Sequence, residues 1–315
     1  MKLFLIVSFF LLTACSFDNK SGIWENENIK KKGDIALKDF KTLSSNQKQF
    51  EKIIPIQKSF AFDLISKKKN NLEWKDIFFN QFNNLPNFQY ADENNLILKS
   101  KRISRSKADE YLLFENGNIL LSDEKGNLIV YSIKDKRIIR KFNFYKKKYK
   151  KIKKRLNLAI DNKIVFVSDN FGYFYAYDYI NDKVLWAKNF KIPFRSNLKI
   201  IKNKIIAANQ NNDLYYINLN TGDSLKIIPT EENQIKNKFV NNLSSSGDNL
   251  FFLNTYGSLY SINNTSMRIN WFINLNQTLD LNPSNLFMGS QLIANKKNII
   301  VSSNRFLYVL DNTNG

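Results

Sequence analysis

The chain of 315 residues contains no histidine and a single cysteine. Without histidine there is no Ser-His-Asp triad, no Cys-His pair, no HExxH zinc site and no imidazole proton shuttle. One cysteine excludes an intrachain disulfide and a thiolate metal cluster. Acidic residues are outnumbered, 28 Asp+Glu against 48 Lys+Arg, for a formal net charge of +20. Such an excess suggests nucleic acid or an anionic surface as partner. It reads equally as the bias of a chain rich in Lys, Asn, Ile and Phe throughout. Long apolar runs are missing too: beyond the N-terminus no segment reaches the roughly 18 residues expected of a membrane-spanning helix. What remains is ample for a packed core, with 43% hydrophobic and 14% aromatic residues, so the chain is not a disordered polycation.

The N-terminus indicates the compartment. Met1-Lys2 forms a short positive region, and the ten residues from Leu3 to Leu12 form an apolar run. That run is too short for a mature span and suits the core of a signal peptide. It ends in Leu12-Thr13-Ala14-Cys15, which uses the only cysteine. This arrangement resembles the lipobox of bacterial lipoproteins. The resemblance implies cleavage before Cys15, a diacylglycerol on its sulfur and acylation of the new amino group. Several acyl chains anchor firmly where one binds only marginally. In that family an Asp after the cysteine favours the inner membrane, so Ser16 points to the periplasmic face of the outer membrane. The expected cut removes one lysine and leaves 47 cationic against 28 anionic side chains, or +19. Export puts nucleic acid out of reach as a partner. An anionic envelope surface remains as a counterpart for the charge.

Self-similarity dominates the body of the chain. Segments beginning at Gly117, Asn162, Asn203, Asp248 and Asn298 share one grammar. A β-rich run leads to a Ser/Asn/Asp-rich turn and a second run rich in Tyr, Leu and Ile. Another Asx turn and a third run carrying Trp or another large residue follow. The turn markers Gly126, Gly172, Asn212, Gly257 and Arg305 are spaced by 46, 40, 45 and 48 residues. Glycine or asparagine there supplies the positive φ of a tight hairpin, and Arg305 is a departure. A fourth strand fits between repeats. A period of this size without a helical pattern predicts an all-β fold, a β-propeller of four-stranded blades. About five blades are recognisable, fewer than the seven or eight with which such rings usually close, so an incomplete ring is expected. Trp186 and Trp271, two periods apart, are expected to be packing plugs between blades. The expected organisation is a signal peptide over residues 1–14, a tether over 15–71 and the propeller over 72–315. Residues 72–74 and 83–100 do not fit the repeat and are expected to supply strands that pair with the last blade.

The units resemble the pyrroloquinoline-quinone-type propeller repeat, best in Gly172-Tyr-Phe-Tyr-Ala-Tyr-Asp178 with Trp186, and in Leu214-Tyr-Tyr-Ile-Asn-Leu-Asn-Thr-Gly222. The resemblance covers about Asn116 to Gly315. Combined with the lipobox, it is similar to the BamB-like propeller lipoproteins of the outer-membrane β-barrel assembly machinery. That likeness implies a non-catalytic scaffold working through protein–protein contacts with assembly subunits or other envelope proteins, with no small-molecule substrate. The alternative is a quinoprotein-like periplasmic redox or sensor protein. Quinone-binding members hold Ca²⁺ with Glu, Asn and Asp, and the alcohol dehydrogenases add an adjacent-cysteine disulfide. This chain lacks the cysteine pair and shows no acidic cluster for the ion, so no enzyme activity, no PQQ and no calcium or other metal are expected.

Two contact sites are expected. In the BamB-like proteins an inter-blade loop with an Arg-x-x-Ser-like element docks on the barrel-inserting subunit. Ile192-Pro193-Phe194-Arg195-Ser196-Asn197 occupies the corresponding place. The resemblance makes Phe194 and Arg195 partner-binding candidates, with Arg195 suited to a bidentate carboxylate contact. The element is short and lacks the accompanying Gly, and a routine connector with a rim arginine fits it as well. The second candidate is the run Lys146, Lys147, Lys148, Lys150, Lys151, Lys153, Lys154 and Arg155, eight basic residues in ten. It could meet lipid head groups, lipopolysaccharide phosphate or an acidic partner through salt-sensitive attraction, or serve as a solvated edge.

Overall fold

The computed structural model describes residues 16–17, 24–25, 73–85, 95–145, 149, 151–232, 240–276, 286–287, 289–303 and 306–315. The chain divides into two units, Met1–Leu64 and Ile65–Gly315. In the first, β1 (Ser16–Phe17) pairs antiparallel with β2 (Trp24–Glu25).

The second unit is a succession of antiparallel sheets, each built from strands consecutive in the chain. Blade 1 comprises β3 (Ala108–Glu115), β4 (Asn118–Asp123), β5 (Asn127–Ser132) and β6 (Arg137–Asn143). Blade 2 comprises β7 (Leu156–Asp161), β8 (Ile164–Asp169), β9 (Tyr173–Asp178) and β10 (Lys183–Asn189). Blade 3 comprises β11 (Lys199–Ile201), β12 (Lys204–Ala208), β13 (Leu214–Asn218) and β14 (Ser224–Ile228). Blade 4 comprises β15 (Asn242–Ser246), β16 (Asn249–Leu253), β17 (Ser258–Asn263) and β18 (Arg268–Asn274). Blade 5 has three strands, β19 (Ile293–Ala294), β20 (Asn298–Ser302) and β21 (Leu307–Asp311). The first strand of each blade lies just upstream of the repeat visible in the sequence, in the place left for a fourth strand. Among the described residues the fold is a β-propeller in which five blades are recognisable, as the repeat predicts.

Local chemistry explains each hairpin. At the end of the second strand an Asx side chain accepts backbone N–H groups two and four residues on. Asp123 takes Lys125 and Asn127, Asp169 takes Phe171 and Tyr173, Asn209 takes Asn211 and Asp213, and Asn254 takes Tyr256 and Ser258. These are Asx turns, in which the side chain imitates a backbone acceptor. Three residues after each Asx stand Gly126, Gly172, Asn212 and Gly257, with φ of 78°, 86°, 69° and 87°. Arg305 lies outside the described residues. A second Asx turn closes the third strand of blades 2 to 5, at Asp178, Asn218, Asn263 and Asp311.

Packing follows from stacking. A blade in mid-array buries both sheet faces, so its middle strands are nearly continuous core: β12, β13, β16 and β17 bury all but one terminal residue. Successive apolar clusters join blade 1 to 2, 2 to 3, 3 to 4 and 4 to 5. The outermost strands are largely exposed or half-buried, and a bulge recurs between third and fourth strands in blades 1 to 4. Such bulges raise local twist. On β21, Leu307 and Val309 are exposed.

Candidate functional site

Strand alternation sorts the loops. The hairpins between second and third strands share one end of the propeller with the inter-blade connections, so the two expected contact sites lie at the same end. Their side chains behave differently from expectation. Phe194 is 2% exposed and packs edge-on against Phe174, Phe190 and Tyr215 between blades 2 and 3. It is a core plug, because Pro193 and the bond from Phe194 N–H to the Asp169 carbonyl turn the loop inward. An exposed Phe-Arg pair is therefore not formed.

Arg195 is half-buried. Its N–H donates to the Ala208 carbonyl at 3.0 Å, and its carbonyl accepts from Asn241 N–H at 2.8 Å, tying blades 3 and 4. Its Nη1 is buried without a partner among the described residues. Burial, with the nearby Arg155 charge, holds the guanidinium below its usual range. The structure thus brings together two positions that were read separately, Arg155 and Arg195.

In the basic run, Lys146, Lys147, Lys148 and Lys150 lie outside the described residues. Lys151, Lys153 and Arg155 are exposed, and Lys153 pairs with Glu124 at 3.4 Å. Lys154 is not available to an anionic surface: it is 4% exposed, lies 5.3 Å over the Tyr145 ring and donates to the Tyr149 carbonyl. Burial pushes its ammonium pKa down. Tyr145 in turn donates to Asp169 at 2.6 Å and closes over Gly126, so this connection is pinned to both flanking blades. Cys15 lies outside the described residues.

The sequence did not announce the most elaborate polar arrangement. Residues 73–85 cross the inner edges of the blades in turn and meet the innermost strand of every blade. Of the stretches 72–74 and 83–100 expected to pair with the last blade, Trp74 bridges Phe114 of blade 1, and residue 72 and residues 86–94 lie outside the described residues. Trp74 exchanges two backbone hydrogen bonds with Phe114 of β3, at 2.7 and 2.9 Å. The Lys75 carbonyl accepts from Ile160 of β7, the Gln81 carbonyl from Ser245 of β15, and the Phe82 carbonyl from Ala294 of β19. From β11, Lys199 Nζ donates to the Asp76 carboxylate, the Asn80 carbonyl and Asn83 Oδ1. Lys199 is fully buried and Asp76 nearly so. Three acceptors match the three protons of an ammonium. Burial alone pushes the lysine pKa down and the aspartate up, each opposed by the other's charge. Asn83 Nδ2 donates to the Leu243 and Leu292 carbonyls, both at 2.7 Å, which links blades 4 and 5.

Chemically this is an arrangement that holds a peptide. Among the described residues no three acidic or cysteine side chains converge to hold a metal ion. Two surface clefts are of modest size, about 210 Å³ beside Phe166 and Leu219 and about 240 Å³ beside Ile227 and Ile269.

No protein-family model matches the chain, and no curated protein matches it. Solved structures do. One is BamB from Moraxella catarrhalis, 13% identical with a TM-score of 0.47, matched over 64% of this chain and 57% of that one. Another is the computationally designed Ika8 protein, 12% identical with a TM-score of 0.52, over 65% and 58%. A third is the β-propeller domain of Myceliophteria thermophila Cps50 (Swd1), 12% identical with a TM-score of 0.49, over 68% of each chain. The chain thus spans less than two thirds of the length of the first two. At such identities the likeness is one of fold, and the fold is the β-propeller that the sheets describe.

Proposed function

We propose that this protein is a non-catalytic, lipid-anchored β-propeller at the periplasmic face of the outer membrane, a scaffold that assists β-barrel assembly through protein–protein contacts. One observation carries the scaffold reading: the inner strands of the five described blades are hydrogen-bonded to the chain's own residues 73–85. Contacts with folded protein partners then fall to the loop ends and the rim. The end that carries Arg155 and Arg195 is the candidate docking end, where exposed Arg155 and half-buried Arg195 are the cations for a partner carboxylate. The lipobox-like Leu12-Thr13-Ala14-Cys15 supports the anchor and the compartment.

The test is co-purification from envelopes in mild detergent, comparing the native chain with Cys15→Ala and Arg195→Glu. The native protein should sediment with membranes and bring barrel-assembly subunits with it. Cys15→Ala should move it to the soluble fraction, and Arg195→Glu should lose the subunits while keeping the native melting temperature. Unchanged recovery with Arg195→Glu would remove Arg195 from the docking end. A stoichiometric quinone chromophore and dye-linked oxidation after reconstitution with PQQ and Ca²⁺ would replace the scaffold by the redox alternative.

A further inference from the structure

We propose that the five inner strands form a peptide-binding site whose resident ligand is residues 73–85, an exchangeable plug recognised by its carboxylate and its turns. The inference concerns the axis alone and stands apart from the scaffold reading.

Each blade is an antiparallel sheet without this segment, four-stranded in blades 1 to 4 and three-stranded in blade 5. The inner edge of such a sheet leaves a row of backbone donors and acceptors facing the axis, and an unpaired edge is a template for an added chain. The segment satisfies those edges one blade at a time. Trp74 meets blade 1, Lys75 blade 2, Gln81 blade 4 and Phe82 blade 5, in chain order. It does so without forming a strand of its own: the contacts are isolated bridges and single carbonyls.

The segment's conformation is set partly by its own side chains and partly by the site. Asp76 Oδ1 accepts from Phe78 N–H at 2.7 Å, and Asn80 Oδ1 accepts from Phe82 N–H at 2.9 Å. These two Asx turns, four residues apart, curl the backbone around Lys199. Between them Phe79 is held at a φ of 81°, a conformation that bulky residues avoid and that surroundings must impose. Recognition is polar at its centre, with one buried ammonium read by a carboxylate, a carbonyl and an amide oxygen. Trp74, Ile77 and Phe79 supply apolar contact on one side. The class of segment the site accepts is therefore a short peptide with an aspartate-initiated turn and an asparagine seven residues on.

The segment connects to blade 1 through residues that include Leu96 and Ile97, which are 80% and 84% exposed. A protease site inserted between them in the full-length chain, cut after folding, turns the cis segment into a non-covalent ligand without altering any axial residue. The cut protein is then titrated with a labelled synthetic peptide of residues 73–85, and with the same peptide carrying Asp76→Asn. Retention of the N-terminal piece is read by gel filtration, and exchange by fluorescence anisotropy. The expected result is that the piece stays until peptide is added, and that the Asp76→Asn peptide displaces it at least ~10-fold less effectively, as loss of a charge-assisted contact requires. Four results would overturn the proposal. The piece could leave at once while the blades keep their near-UV circular dichroism. It could stay against millimolar peptide, yield equally to both peptides, or take the blades' fold with it when it leaves.

Discussion

The indole of Trp186, on the outermost strand of blade 2, closes over Gly222 of blade 3 so tightly that a Cβ there would sit 2.5 Å from Cε3. Gly222 also has a φ of 73°, so two constraints act on one position. Gly117, at a φ of 74° with nothing within 4 Å, carries only the backbone constraint. Gly117→Ala should cost about 1–2 kcal/mol from the left-handed conformation. Gly222→Ala should cost about 1–3 kcal/mol more from overpacking. Urea unfolding of the two variants separates the terms, and equal midpoints would mean that the blade 2–3 contact is loose.

Lys199 and Asp76 offer a second measurement, of equilibrium stability. Removing one member of a buried ion pair leaves an uncompensated charge, for a cost of about 3–5 kcal/mol, whereas replacing both by apolar groups is often neutral. Lys199→Met should therefore be markedly destabilising. The double variant Lys199→Met with Asp76→Leu should recover most of the loss, short of the turn bond from Phe78 N–H to Asp76, worth about 1 kcal/mol. A double-mutant cycle by chemical denaturation reads the coupling directly. Additive losses would show that the two side chains do not share one site.

How much of this was legible in the sequence depends on whether the physics is local. The hairpins were readable because a positive φ restricts the residue, and Gly126, Gly172, Asn212 and Gly257 adopt it where their spacing placed them. Trp186 was readable as a plug because it recurs two repeats on as Trp271. The inner strands were harder to see. β15 is Asn-Leu-Ser-Ser-Ser, buried throughout yet polar, and β11 and β19 are only three and two residues long, so no apolar pattern marks them. Phe194 misled because Pro193 marks a connector, and whether a connector turns inward is settled by neighbouring blades. Lys199 was not legible at all. It is one of 48 cationic residues, and its burial depends on an aspartate 123 positions away. Asp76 and Asn80 could have been read as turn formers, but nothing local says that their turns belong on an axis.

Asp169 makes the pH behaviour testable. Burial raises its carboxyl pKa, although Tyr145 and the Tyr173 and Phe171 N–H groups oppose the rise. A folded pKa above the unfolded one means that the folded chain holds the proton more tightly. The contribution is full below the unfolded value near 3.8 and is lost as pH rises through the raised folded value. Asn fills the equivalent turn position at Asn209 and Asn254, so Asp169→Asn keeps the fold's own chemistry. The variant should gain stability relative to the native protein as pH rises from about 4 through the raised folded value, then hold a constant difference. Melting temperatures of the pair across that range check it, and a difference independent of pH would mean that Asp169 titrates as in the unfolded chain.

Trp186 and Trp271 occupy the same place two blades apart but differ in one bond. Trp186 Nε1 donates to the Leu219 carbonyl of the next blade at 3.0 Å. Trp271 Nε1 is buried with no partner among the described residues, although its ring likewise stands 3.1 Å from the Cβ position of Gly315. Replacing either by Phe removes comparable apolar surface. At position 186 the change also breaks a hydrogen bond across the blade interface, while at 271 it removes a donor that was desolvated without compensation. Trp186→Phe should therefore be the more destabilising by about 1–2 kcal/mol. Urea unfolding of each variant, followed by far-UV circular dichroism so that loss of an indole does not alter the signal, gives the comparison. If Trp271→Phe proved as costly as Trp186→Phe, the tryptophans would act through volume alone, and the bond to Leu219 would contribute nothing to holding blade 2 against blade 3.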